Sequence, residues 1–173
     1  MKKNIYLAGK VKNPHYSDRK GGWRYELLKE LFNVEIEIAF SDYERDFKKP
    51  PIISINNKFN YVGPFLYGCD HGCSHKIPYA HGVLTCIEGW SLKKPHPDIF
   101  NLSMKQIQQT DILILNFNEL PLKTYGGIAE TAFAFGLKNK KIYGLGKNVR
   151  DLWFVQSMCE MCKNVEELKM KLI

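Results

Sequence analysis

The feature that most constrains this chain is an unbroken aliphatic run, Ile112-Leu113-Ile114-Leu115, followed after a glycine-bearing segment by a second short run, Lys141-Ile142-Tyr143-Gly144-Leu145. Apolarity without alternation marks a strand covered on both faces, the condition of a parallel strand between helices. The residues between the two runs supply the crossover. Tyr125-Gly126-Gly127 reads as a tight turn that admits close approach of a ligand to the backbone. Ile128–Phe135 joins small helix formers to aromatics, and Gly136 is a natural helix stop. One carboxylate, Glu130, stands in this small and apolar stretch. Ligands of open α/β sheets bind at the carboxyl ends of the strands. The pattern places Glu130 there, near a helix N-terminus whose unpaired N–H groups favour an ionised acid.

The remaining segments extend the same architecture. Ile5–Gly9 reads as a first strand, and Gly21–Phe32 has the apolar spacing of a helix in Trp23, Leu27, Leu28, Leu31 and Phe32. Val34–Ala39 alternates like a half-exposed strand. Residues 41–97 hold most of the prolines and little periodicity, apart from a short strand at Lys58–Tyr61, and read as an irregular insertion of the kind that often carries function. Asn101–Thr110 is a helix with Leu102 and Ile107 inward, or one capped at Ser103, and Asn164 caps an amphipathic helix at the end of the chain. This order predicts one α/β domain over residues 1–173. Its class is doubly wound, Rossmann-like or flavodoxin-like, with a mostly parallel five-stranded sheet and a long loop insertion.

Bulk properties narrow the function. At 173 residues, 45% hydrophobic and 25% charged, the chain is sized for one domain with its own core. No apolar run approaches the roughly 20 residues of a membrane span. The opening MKKNIYLAGKV is too short in its apolar part for a signal peptide, so a cytoplasmic protein is expected. The net charge of +7 suits either nucleic acid or a phosphorylated small substrate. Its lysines are scattered, with no arginine-rich arm and no RNA-binding aromatic motif, so no nucleic-acid partner is expected. Five cysteines in such a chain argue against a disulfide framework.

The motifs IYLAG at residues 5–9, the strand opening Asp111-Ile112, and G-G-x-x-E-x-A-x-A-x-G from Gly126 to Gly136 together resemble the nucleoside 2-deoxyribosyltransferase family, which includes nucleotide N-glycosidases. The similarity covers roughly residues 4–32 and 101–146. It implies that Glu130 is a nucleophile that attacks the anomeric carbon of a nucleoside or nucleotide and displaces the base. Tyr6 then holds that nucleophile through its hydroxyl, and Gly9 passes close to the sugar. It further implies a homodimer or higher homo-oligomer, no cofactor, and contacts from Asn148 and Asp151 of a neighbouring subunit to the 5′ end of the sugar. Arg24 is expected either to pair with surface charges beside Glu26 or to reach a 5′-phosphate. Two carboxylates of the family pattern are replaced here, by Ser103 and by Thr124. Asp111 is retained, as a substrate contact or as a strand-start residue pointing away.

The missing acid has a natural source in Gly63–Gly82, which concentrates Asp70, His71, His75, His81, Cys69 and Cys73 among glycines. Glycine lets such a loop wrap a ligand, and histidine titrates near neutral pH. Asp70 or His71 is therefore the expected acid or hydroxyl ligand. The same loop, with Cys86 and the Cys159-x-x-Cys162 pair, also carries zinc-compatible side chains, although the C-x-x-C…C-x-x-C spacing of a structural zinc site is absent. Without zinc, Cys159 and Cys162 read as helix-packing residues. The alternatives to an enzyme are thus a nucleotide-binding sensor that has lost its chemistry and a zinc-stabilised interaction domain.

Overall fold

A computed structural model describes residues 1–9, 22–36, 38–40, 48–67, 97–118, 125–147 and 152–172. In chain order the elements are β1 (Lys3–Ala8), α1 (Trp23–Phe32), β2 (Ala39–Phe40), β3 (Ile53–Ser54), β4 (Phe59–Gly63), β5 (Leu66–Tyr67), α2 (Pro97–Gln108), β6 (Ile112–Asn116), α3 (Tyr125–Gly136), β7 (Lys141–Leu145), α4 (Trp153–Gln156), β8 (Glu160–Cys162) and α5 (Val165–Leu172). Six strands form one sheet in the order β3-β4-β1-β6-β7-β8. Only β3 runs antiparallel to its neighbour, and the other pairings are parallel. The fold is α/β, as the aliphatic runs predicted.

Alternation along β1 divides the core. Ile5 and Leu7 pack on the face covered by Leu27, Leu28 and Leu31 of α1 and by Leu168 and Leu172 of α5. Tyr6 and Ala8 pack on the opposite face with Ile107 of α2, Ala134 of α3 and Val155 of α4. Both faces of β6 are likewise filled, Ile112 and Ile114 on the first and Leu113 and Leu115 on the second. The unbroken apolar run thus reports burial on two sides. The last helix is capped as expected, the Asn164 side chain accepting from the Glu167 N–H at 2.9 Å.

Four expectations are corrected. The sheet has six strands among the described residues, not five. Val34–Ala39 adds no strand to it, although Ile36 and Ile38 are buried; β2 pairs instead with β5 in a separate two-stranded sheet. The edge of β1 opposite β6 goes to β4, whose Tyr61 and Val62 are both buried. A strand beside β1 is covered on both faces, and Val34–Ala39 would bring Glu35 onto a covered one. Within the span read as an irregular insertion, the short strand expected at Lys58–Tyr61 is present as β4, and β3 and β5 are added to it. Finally, Cys162 lies in the three-residue β8, which carries no sequence pattern of its own, rather than on a helix.

The order places a reversal between β1 and β6. β1 is followed outward on one side by β4 and on the other by the later strands β6, β7 and β8. Chain connections leave in opposite directions at such a point, which opens a crevice beyond the carboxyl ends of the two strands.

Candidate active site

Gly9 ends β1 at this crevice with φ +150°, a conformation open to glycine. A Cβ there would lie 2.9 Å from the Trp23 ring and 3.5 Å from Cβ of Asn116 at the end of β6. α3 reaches the same point from the other side. A Cβ on Gly127 would stand 3.1 Å from the Gly9 nitrogen and 3.2 Å from its Cα. Gly126 and Gly127 therefore form the first turn of α3 rather than a turn preceding it, and the close approach that Gly127 permits is helix against strand end. Gly126 is exposed, with nothing among the described residues within 4 Å of where its side chain would be.

Glu130 follows Gly127 by one helical turn on the same side of α3. It faces Tyr6, whose position on β1 points to that side of the sheet. The Tyr6 hydroxyl donates to Glu130 Oε1 at 2.6 Å, and Tyr6 is fully buried. Among the described residues Tyr6 is the one hydrogen-bond partner of this carboxyl group. The pairing joins residues 124 positions apart. It exists because the Gly127–Gly9 contact seats α3 against the end of β1.

The electrostatics differ from the sequence expectation. Burial is the largest influence on Glu130 and pushes its pKa up to about 7; the Tyr6 hydrogen bond and the Arg24 charge pull the other way without prevailing. Glu130 lies in the second turn of α3, too far from the helix end for its N–H groups to dominate. Tyr6 is held well above the ordinary tyrosine value, first by burial and then by the neighbouring Glu130 charge. It stays a protonated donor. The pair is a desolvated acid that ionises near neutrality, with one oxygen fixed by a phenol.

Arg24 belongs to this centre in a way the sequence did not show. It is neither a surface ion-pair partner nor an exposed phosphate contact, being 1% exposed. Its Nε donates to the Leu7 carbonyl at 2.9 Å and its Nη2 to the Gly9 carbonyl at 2.8 Å. Carbonyls two residues apart on a strand point to the same edge. β1 outruns β4, whose last pairing is Gly63 with Tyr6. Arg24 thus caps carbonyls past the end of the ladder and brings a positive charge behind Tyr6 and Glu130.

Asp111 is not part of the site. Its Oδ2 accepts the Asn4 backbone N–H at 2.8 Å at the amino ends of β1 and β6, the opposite edge of the sheet. Ser103 lies within α2 and does not cap it. Asp70, His71, Asn148, Asp151 and Thr124 lie outside the described residues, as do Cys69, Cys73 and Cys86. Among the described residues no three His, Cys, Asp or Glu side chains gather as a metal would require. The Cys159 thiol is pushed up to about 12 by burial. No helix among the described residues is long and apolar enough to cross a membrane.

A residue missed in the sequence is Gln106, buried on α2 with its Oε1 2.8 Å from the point a Cβ on Gly63 would occupy. Its signal was phase. It sits one turn after Leu102 and beside Ile107, where an inward-facing helix position calls for an aliphatic side chain.

No protein-family model matches the chain, and no curated protein sequence matches it.

Proposed function

We propose that this protein cleaves or transfers the N-glycosidic bond of a nucleoside, deoxynucleoside or nucleoside monophosphate through a covalent glycosyl-Glu130 intermediate. The observation that carries the reading is the part-buried 2.6 Å Tyr6–Glu130 pair beside the carboxyl ends of β1 and β6. A doubly wound fold of Rossmann-like or flavodoxin-like class binds its ligand there. The motif resemblance at Tyr6, Gly9 and Glu130 adds the reaction class.

The chemistry uses what the pair offers. Ionised Glu130 attacks the anomeric carbon while the C–N bond breaks, its electrons leaving on the base nitrogen, which then takes a proton. The transition state is oxocarbenium-like, and a poorly hydrated carboxylate both stabilises that charge and captures the carbon. Tyr6 orients Glu130 and favours its ionised form. Water or a second base then attacks the glycosyl ester, releasing the Glu130 carboxylate. Arg24 supports the Gly9 end of β1 against which α3 is set.

The exposed Tyr125, Phe135, Trp153 and Phe154 on α3 and α4 support a homodimer through this side of the molecule. Sedimentation showing a monomer at high concentration contradicts that part. The activity is tested by incubating the protein with a panel of ribo- and deoxynucleosides and their monophosphates, with and without a free acceptor base. Base release that disappears in Glu130→Ala is the expected result. Release that survives the substitution removes the nucleophile, and no release from any substrate removes the reaction.

A further inference from the structure

Arg24 is a charge sealed inside the fold, 1% exposed. Taking a guanidinium out of water is costly, so where it sits is decided by what holds it. Its Nε and Nη2 donate to the Leu7 and Gly9 carbonyls, and its central carbon lies 4.3 Å from the middle of the Trp23 ring. Trp23 and Gly9 themselves meet at the end of β1. Gly9 is also the residue against which Gly127 is set, one turn before Glu130 on α3. The same contacts that seat α3 on β1 therefore hold the positive charge behind the carboxyl group. Among the described residues, the titratable or charged groups that act on Glu130 are Tyr6 from β1 and Arg24 from α1. Tyr6 contributes a hydrogen bond and Arg24 contributes charge.

We infer that Arg24 is a positioning residue for the second half of the reaction, its sealed charge making Glu130 a good leaving group and keeping the glycosyl-enzyme from accumulating. This rests on the glycosidic reading of the Tyr6–Glu130 pair. In the first step Glu130 gives an electron pair to the anomeric carbon, and negative charge leaves with the base. Glu130 is then a neutral ester, and its attraction to Arg24 is gone. In the second step water or a base nitrogen bonds to the anomeric carbon and the C–O bond to Glu130 breaks. The electron pair of that bond returns to the carboxylate oxygen, and the proton of the attacking atom passes to solvent. The attraction is thereby restored, in surroundings where little solvent screens it. Arg24 so raises the intermediate relative to the free enzyme, and it does this through Glu130 without touching substrate. Burial makes Glu130 a reactive nucleophile but a reluctant leaving group. Arg24 offsets the second effect, as its pull against burial on the Glu130 carboxyl group indicates.

The test uses the full chain as wild type, Arg24→Gln and Arg24→Lys, at a saturating level of a nucleoside found to release base, with an acceptor base present. Glutamine removes the charge and keeps a donor; lysine keeps the charge. One readout is the fraction of the Glu130 peptide that carries sugar after acid quench, taken well above the acid limb so that Glu130 is ionised in every variant. The other is the pH profile of kcat/KM. Wild type should show a minor glycosylated fraction. Arg24→Gln should raise the ratio of glycosylated to free Glu130 by roughly 3- to 20-fold and move the acid limb to higher pH. Arg24→Lys should bring both back toward wild type. If Arg24→Gln does not fold, Arg24→Met is measured in the same way, and wild type glycosylated on most of its Glu130 overturns the inference by itself. A neutral variant that loses rate with no rise in glycosylated peptide and an unmoved limb has lost only support at the end of β1, and overturns the inference. So does an Arg24→Lys that behaves like Arg24→Gln. These results leave the glycosidic reading intact. Wild-type protein that releases no base, or release that survives Glu130→Ala, overturns both.

Discussion

Glu130→Gln is expected to stabilise the folded protein above neutral pH, and the size follows from the site. Glu130 titrates near 7 in the folded chain against an ordinary value of 4.5. Its folded pKa is raised, so the folded state holds the proton more tightly than the unfolded chain. That contribution is complete below the unfolded value and disappears as pH rises through the folded one. At about 1.4 kcal/mol per pKa unit, keeping the ionised carboxylate buried above neutrality costs about 3 kcal/mol relative to acid conditions. Glutamine keeps the shape, and its carbonyl oxygen still accepts from the Tyr6 hydroxyl, but it does not ionise. Urea unfolding of both proteins at about pH 5 and about pH 8.5 reads the difference. The stability of Glu130→Gln relative to wild type should rise by about 2–3 kcal/mol between the two conditions. A stability of Glu130→Gln relative to wild type that is independent of pH, or that falls as pH rises, refutes the burial argument.

Other consequences are as direct. Tyr6→Phe removes a charge-assisted hydrogen bond of about 1.5–3 kcal/mol to ionised Glu130, so the acid limb of kcat/KM should move to higher pH; an unmoved limb counts against the coupling. In the wild type that limb should lie near pH 7 rather than in the ordinary carboxylate range, as a pH–rate profile will show. Gly127→Ala gains roughly 0.5–1 kcal/mol of helix propensity but sets a methyl 3.1 Å from the Gly9 backbone, so activity should fall much more than thermal stability does. Gly9→Ala combines a φ of +150° with contact on Trp23 and should lower stability by about 1–3 kcal/mol in urea.

What could be read from the sequence was whatever local pattern controls. The double-faced burial of β6 is written in four adjacent aliphatics, and the amphipathic ends of α1, α2 and α5 in their spacing. Tyr6 and Glu130 were legible through the motifs around them, and the structure brings them together. Asp111 was legible as a residue but not as a role, because the same side chain serves a strand start or a site depending on which edge of the sheet it occupies. Arg24 could not be placed, since its use depends on β4 ending short of β1, a fact of register between distant segments. The same holds for β4 taking the place beside β1 while Val34–Ala39 adds no strand to that sheet, although its pattern alternates well. The ionisation of Glu130 was misjudged because helix position is visible in sequence while desolvation by a tertiary neighbour is not.

The central claim is that Glu130 becomes glycosylated. It is tested most directly by acid-quenching the protein during turnover of a substrate found to release base, then digesting it and weighing the peptides. The account predicts a peptide spanning Glu130 heavier by one sugar residue, absent from Glu130→Gln and lost on addition of water or acceptor base over time. Base release with no sugar on that peptide under any quench, or with sugar on another residue, contradicts it.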